Sequence, residues 1–250
     1  MNVLSSVDTA IGVTRSMLIY YGQPWRRRQL RRFYRELVSP GDLVFDIGAH
    51  VGSRSRTLIS LGAAVVAVEP QPVFADIVAM HLSRQLKGLE RVAVGAAEGE
   101  ATLHVSSRHP TVTTLSKRFI DGVSHSAGFR DVVWDSEIRL PVTTLDRLID
   151  KYGLPAFCKI DVEGAESDIL RGLSRPIRLI AFEYIPALPD VARESVDRLG
   201  QLGPYRFKRV IGETHRFVDA EWKDAAALSA DLATLSPDSP SGDIYARLAP

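Results

Sequence analysis

At 250 residues, 45% hydrophobic and 24% charged, the chain can bury one substantial core and has the composition of an ordinary globular protein. Its formal charge of +1 gives no global attraction to nucleic acid or to an anionic membrane. A single cysteine, Cys158, rules out an internal disulfide, and the apolar run Phe157-Cys158-Lys159-Ile160 suits a buried, inert thiol. No apolar stretch approaches the ~18–20 residues that span a bilayer. Asp8 interrupts any apolar start and no basic residue precedes it, so no secretory signal is expected and the location reads as cytoplasmic.

The first forty residues read as a helical extension, residues 1–40, ahead of a domain over 41–250. Leu30, Phe33, Tyr34, Leu37 and Val38 recur at helical spacing and form one apolar stripe. Arg26, Arg27, Arg28, Arg31, Arg32 and Arg35 occupy the other face, and Ser39-Pro40-Gly41-Asp42 turns the chain. Strands are predicted at Leu43 to Ile47, Ala64 to Val68 and Arg91 to Val94, with helices at Ser53 to Leu61 and Val73 to Leu86 between them. Ala101 to Val105 and Ile138 to Val142 are expected to be strand extensions around a polar stretch, residues 106–136. A helix from Thr144 to Tyr152, a strand from Ala156 to Ile160, a helix from Glu166 to Arg171 and a strand from Leu179 to Phe182 follow. Tyr205 to Ile211 and Asp243 to Leu248 complete the strands. Such alternation predicts an α/β, Rossmann-like fold: a mostly parallel sheet with helices on both faces.

The chemistry gathers at predicted strand ends. In Asp46-Ile47-Gly48-Ala49-His50-Val51-Gly52, Gly48 and Gly52 permit a tight turn and let a ligand lie against the backbone. Glu69 ends the next strand, where a carboxylate can accept hydrogen bonds from both hydroxyls of a ribose. Together they imply an adenosine-containing ligand. A dinucleotide fingerprint needs a middle glycine where this chain has His50. A carboxylate at Asp46 would repel a pyrophosphate but attract an ammonium or a sulfonium. S-adenosylmethionine is therefore favoured over a nicotinamide dinucleotide. The second segment, Lys159-Ile160-Asp161-Val162-Glu163-Gly164-Ala165-Glu166, puts Asp161 where a strand opens into the ligand crevice. Glu166 and Asp168 suit a helix start without any catalytic role.

These segments, with Val68-Glu69-Pro70, Ala93-Val94-Gly95, Thr144-Leu145-Asp146 and Phe182-Glu183, resemble in order and spacing the FkbM-type methyltransferases over roughly Pro40 to Glu183. The resemblance implies a seven-stranded class I methyltransferase fold. It also implies methyl transfer from S-adenosylmethionine, often to a hydroxyl of a sugar or other small metabolite, or a glycan. The resemblance implies that Asp46, Gly48 and Glu69 contact the cofactor, and Ala49, His50, Gly52, Pro70, Val94, Gly95 and Asp161 are expected to complete its site. The family usually carries Asn where this chain has His50, and often an acid where it has Ala96, so adenine recognition falls to backbone groups around Val94 and Gly95.

A hydroxyl acceptor must lose a proton, so a general base is expected among Asp161, Glu183, His109 and His125. Asp161, Glu163 and Glu183 are hard oxygen ligands, but no tight spacing motif joins them and no metal is assigned. Two alternatives come from other classes. One is a nicotinamide-dependent oxidoreductase; the other is a module binding RNA or an anionic surface through the Arg26–Arg35 helix, which no nucleic-acid motif accompanies.

Overall fold

A computed structural model describes residues 3–124, 126 and 129–249. Two helices, α1 (Val3–Tyr21) and α2 (Pro24–Arg35), lead into the alternation β1 (Leu43–Ile47), α3 (Ser53–Ile59), β2 (Ala64–Val68), α4 (Pro72–Leu82) and β3 (Gly88–Glu90). The short β4 (Ala93–Val94) and β5 (Gly99–Val105) precede α5 (Lys117–Val123) and β6 (Ser136–Thr143). The chain then runs through α6 (Leu145–Tyr152), β7 (Phe157–Ile160), α7 (Glu166–Arg171), β8 (Leu179–Tyr184) and α8 (Pro189–Leu202). It closes with β9 (Tyr205–Ile211), α9 (Ala225–Ala233) and β10 (Gly242–Leu248).

Seven strands form one sheet in the order β3-β2-β1-β7-β8-β10-β9. Neighbours from β3 to β8 pair in parallel, and β10 runs antiparallel to both of its neighbours. The expected α/β, mostly parallel architecture is what the chain adopts. The chain runs outward from β1 to β2 and β3 and later crosses back to β7 on the other side of β1, so the strand order reverses at β1. Ligands of open α/β sheets bind outside the strand ends at such a switch point.

Strand alternation divides the core. Phe45, Ile47, Val66, Val68, Cys158 and Ile160 face α6, α7 and α8, packing against Leu148, Ile169 and Val196. Val44, Val65, Phe157 and Tyr245 face the other way and meet Leu30, Phe33, Tyr34 and Val38. The expected stripe of α2 thus packs on the sheet, and full burial of each such side chain is worth about 1.5–3 kcal/mol. The extension and the domain share this cluster.

Three expectations need correction. The third strand of the main sheet is Gly88–Glu90 rather than Arg91 to Val94, and Ala93–Val94 pairs elsewhere. The expected strand extensions form a separate three-stranded sheet, order β4-β6-β5, with β5 and β6 antiparallel. The stretch 106–136 also holds a helical turn at Pro110–Val112 and the helix α5, which Ser116 caps by accepting from the Phe119 N–H.

Candidate active site

Gly48, His50 and Gly52 all have positive φ, at 80°, 49° and 76°. At Gly48 this is compulsory, because a Cβ there would stand 1.9 Å from the carbonyl oxygen of Asp161. The ends of β1 and β7 can approach only because that side chain is missing. The turn is then tied to β2: the Gly48 and Ala49 N–H groups both donate to the Val68 carbonyl, at 2.9 and 3.0 Å.

Glu69, 2% exposed, ends β2 beside this turn. Its carboxylate accepts from the His50 N–H at 2.7 Å and from the Gln71 N–H at 2.8 Å. Burial pushes its pKa up to about 7, against the pull of these two bonds. Each oxygen retains lone-pair capacity for a further donor. His50, half-buried, packs against Phe74 with ring centroids 4.1 Å apart and lies 3.3 Å from the Ser16 hydroxyl. Burial lowers its pKa to about 4, so it is neutral at physiological pH.

A cavity opens above the turn. Gly48, His50, Glu69, Pro70, Val94 and Asp161 line it, together with Tyr20, Arg54, Gln71, Val92, Leu103, Leu115 and Glu163. One part is apolar, from Val92, Val94, Leu103 and Leu115; another is acidic, from Asp161 and Glu163. Helix α1 supplies Tyr20 and closes tightly on the neighbouring loop, where a Cβ on Gly12 would meet the Ser107 carbonyl at 2.4 Å. The Tyr21 hydroxyl donates to the Val51 carbonyl at 2.8 Å.

Four residues assigned to the cofactor from sequence do not line the cavity. Asp46, 1% exposed, shares the strand face of Val44, points beneath α3 and accepts from the Ser55 hydroxyl at 2.5 Å. Strand parity turns it away from the crevice. Ala49 packs with Ala67, Val78 and Leu82, and a Cβ on Gly52 would strike Leu82. Gly95 donates its N–H to Thr143 in the small sheet. Among the expected bases, His109 stands next to Pro110 and Thr111 of the cavity wall but is not itself lining. Burial, Arg15 and Arg108 lower its pKa, and its Nδ1 has no hydrogen-bond partner. His125 lies outside the described residues.

Asp161, Glu163 and Glu183 come together, each with a carboxylate oxygen within 4.8 Å of the others. Asp161 is engaged by Arg54 at 3.1 Å and Lys159 at 3.4 Å. Burial works to raise its pKa, but Lys159 and Arg54 outweigh it and hold Asp161 below the usual carboxylate range. Glu163 and Glu183 lack such partners. Burial, then the neighbouring carboxylates, raise both well above the ordinary value. Oε2 of Glu183 is buried without a hydrogen-bond partner. Lys159, wholly buried, also pairs with Asp243 at 3.0 Å. Arg54 reaches Glu213 at 2.9 Å. Sequence reading missed Arg54 and Tyr20; the only available signal was the position of Arg54 two residues after Gly52, in the first turn of α3.

A cavity beside a glycine turn at the switch point of a mostly parallel sheet lies where α/β enzymes bind their ligands. The chain belongs to the FkbM methyltransferase family: the methyltransferase FkbM domain matches residues 46–227. It is thus a methyltransferase of Rossmann-like class I fold, and S-adenosyl-L-methionine is its methyl donor. A protein-L-isoaspartate O-methyltransferase of Methanospirillum hungatei JF-1 is 36% identical over 66 residues, which are 26% of this chain and 30% of that protein. Among solved structures, an O-methyltransferase from Bacillus cereus in complex with SAH has 12% identity and a TM-score of 0.49, covering 100% of this chain and 92% of that one. Precorrin-6y C5,15-methyltransferase from Geobacter metallireducens GS-15 has 14% identity and a TM-score of 0.47, covering 91% and 88%. Likenesses this distant carry neither substrate nor mechanism across. Family membership sets aside the nicotinamide oxidoreductase alternative.

Proposed function

We propose that this methyltransferase methylates a hydroxyl of a small acceptor, a sugar or other small metabolite, and that the Glu163–Glu183 pair takes the hydroxyl proton. When bound, S-adenosyl-L-methionine supplies a methyl carbon made electrophilic by its sulfonium. The chain's residues fit that group from end to end. Val92, Val94, Leu103 and Leu115 offer an apolar slot for adenine, and Glu69 accepts from the ribose hydroxyls. Gly48 leaves room for a ligand against the backbone, and Asp161 with Glu163 complements positive charge. Asp46 supports this arrangement from behind by holding α3 through Ser55.

The observation that carries the reading is the contrast among three clustered carboxylates. Asp161, held ionised by two cations, is a weak base and a good electrostatic partner. Glu163 and Glu183 have raised affinity for protons, so the ionised member of the pair is the stronger base toward an acceptor hydroxyl. A hydroxyl acceptor has a proton to lose as its oxygen attacks the methyl carbon, and this pair is placed to receive it. Lys159 and Arg54 offset the charge of Asp161, and a proton held by one of the two glutamates offsets part of the rest while the other stays free to accept.

The test is methyl transfer from labelled donor to a panel of hydroxylated sugars and metabolites, with pH profiles. Glu183→Gln and Glu163→Gln are expected to lower kcat by roughly 10²–10⁴-fold while donor affinity stays near wild type for Glu183→Gln. Full activity in both variants would contradict the assignment. Activity should persist in EDTA; loss in EDTA with recovery on adding Mg²⁺ would instead give these three carboxylates a cation.

A further inference from the structure

A second cavity, of about 180 Å³, adjoins the donor cavity, with Tyr20 and Arg54 lining both. Four arginines face it: Arg26 and Arg27 from α2, Arg54 and Arg56 from α3. The one carboxylate in its lining is Glu213, which Arg54 engages at 2.9 Å and His215 at 3.5 Å. Arg54 is further balanced by Asp161. Arg26, Arg27 and Arg56 form no ion pair with any carboxylate among the described residues; the contact made by Arg56 is with the face of the Tyr21 ring, 5.6 Å from its centroid. Three guanidiniums without a carboxylate partner therefore share one concavity with Arg54.

We infer that this cavity is a phosphate-binding subsite, and that it anchors the acceptor through a phosphate ester. The inference builds on the methyl-transfer reading above and names the acceptor's chemical class. Each guanidinium presents a planar fork of N–H donors that matches phosphate oxygens two at a time. Three such groups offer more donors than one carboxylate can receive. A phosphate monoester, with three terminal oxygens and about −1.5 to −2 charge at neutral pH, uses them and cancels most of the excess charge. A molecule held here by its phosphate reaches the acidic end of the donor cavity across Arg54, whose other contact is Asp161. The phosphate has two sources, a soluble sugar phosphate or the headgroup of a lipid. Exposed Leu18 and Trp25, beside the lining residues Ile19 and Arg26 in the chain, make the second worth an arm of the test.

Calorimetry on the full chain, with inorganic phosphate, glucose 1-phosphate and acetate as probes, decides the matter when repeated on Arg27→Gln/Arg56→Gln. Saturable binding of inorganic phosphate and glucose 1-phosphate is expected, weakened roughly tenfold or more in the double variant. S-adenosylhomocysteine should bind both proteins alike and leave phosphate affinity unchanged. No saturable phosphate binding, equal binding of acetate, or displacement of phosphate by S-adenosylhomocysteine would each overturn the inference. Vesicles containing phosphatidic acid provide the second arm. Their binding, competed by inorganic phosphate and lost in the double variant, supports a lipid-borne phosphate; glucose 1-phosphate binding without vesicle binding supports a soluble one. Failure of S-adenosylhomocysteine to bind the wild type would strike the donor site alone, leaving the phosphate result readable.

Discussion

Gly48 and Glu69 carry opposite burdens, one by having no side chain and the other by burying a charge. Gly48→Ala forces a Cβ into the Asp161 carbonyl and imposes a positive φ on a residue that resists it. A loss of about 2–4 kcal/mol is expected by urea denaturation, and a stability within 0.5 kcal/mol of wild type would contradict the strand-end geometry. Glu69 titrates in the ligand-free protein near pH 7. Hydroxyl donors favour its ionised form, so donor binding releases a proton below that pH and affinity rises as pH increases through it. S-adenosylhomocysteine should therefore bind roughly tenfold more weakly at pH 6 than at pH 8, and Glu69→Gln should flatten that dependence. At this scale the sequence made position readable, as for Glu69 at the tip of β2 and in the cavity wall. It misled where orientation decides. Asp46 lies next to the turn in the chain, yet strand alternation turns it beneath α3, and Asp161 takes its place at the cavity.

Among the elements, β7 joins stability to the site. Its Phe157 and Cys158 serve the two faces of the core, while Lys159 is buried between Asp161 and Asp243. Removing one member of a buried ionic group leaves the others uncompensated. Lys159→Ala is thus expected to cost about 3–5 kcal/mol in denaturant unfolding; a loss below 1 kcal/mol would contradict the pairing. The strands β1, β2, β7 and β8 were legible because both faces are covered, giving continuous apolar runs. Helix α8 was not, because its buried side includes Ala192 and Ser195 beside Val196 and Leu199, and small or polar residues dilute a helical stripe. The small sheet was missed because β4 has only two residues and β5 begins exposed, at Gly99 and Glu100.

Across the whole molecule, buried carboxyls with raised pKa values set the pH response. Glu69 and Glu166 both move from 4.5 to about 7, chiefly through burial. What such groups contribute to stability is full below pH about 4.5 and is lost as pH rises through about 7. For the ligand-free protein, Tm is expected to fall between pH 6 and pH 8, and S-adenosylhomocysteine should restore more of it at pH 8. A Tm that rises over this range would show that Glu69 and Glu166 are not buried as described. No helix among the described residues is long and apolar enough to cross a membrane. The helices of residues 1–40 reach both the sheet and the cavity beside Glu69, an involvement that their sequence, legible only as a stripe and a basic face, did not disclose.

The most direct measurement is calorimetric titration of S-adenosylhomocysteine and NADH into the wild type and Glu69→Ala at pH 8. S-adenosylhomocysteine should bind the wild type with one site per chain, NADH should not bind, and Glu69→Ala should lose affinity by roughly tenfold or more. Equal affinity in both proteins, or preference for NADH, would contradict the placement of the methyl donor between Glu69 and the acidic end of this cavity.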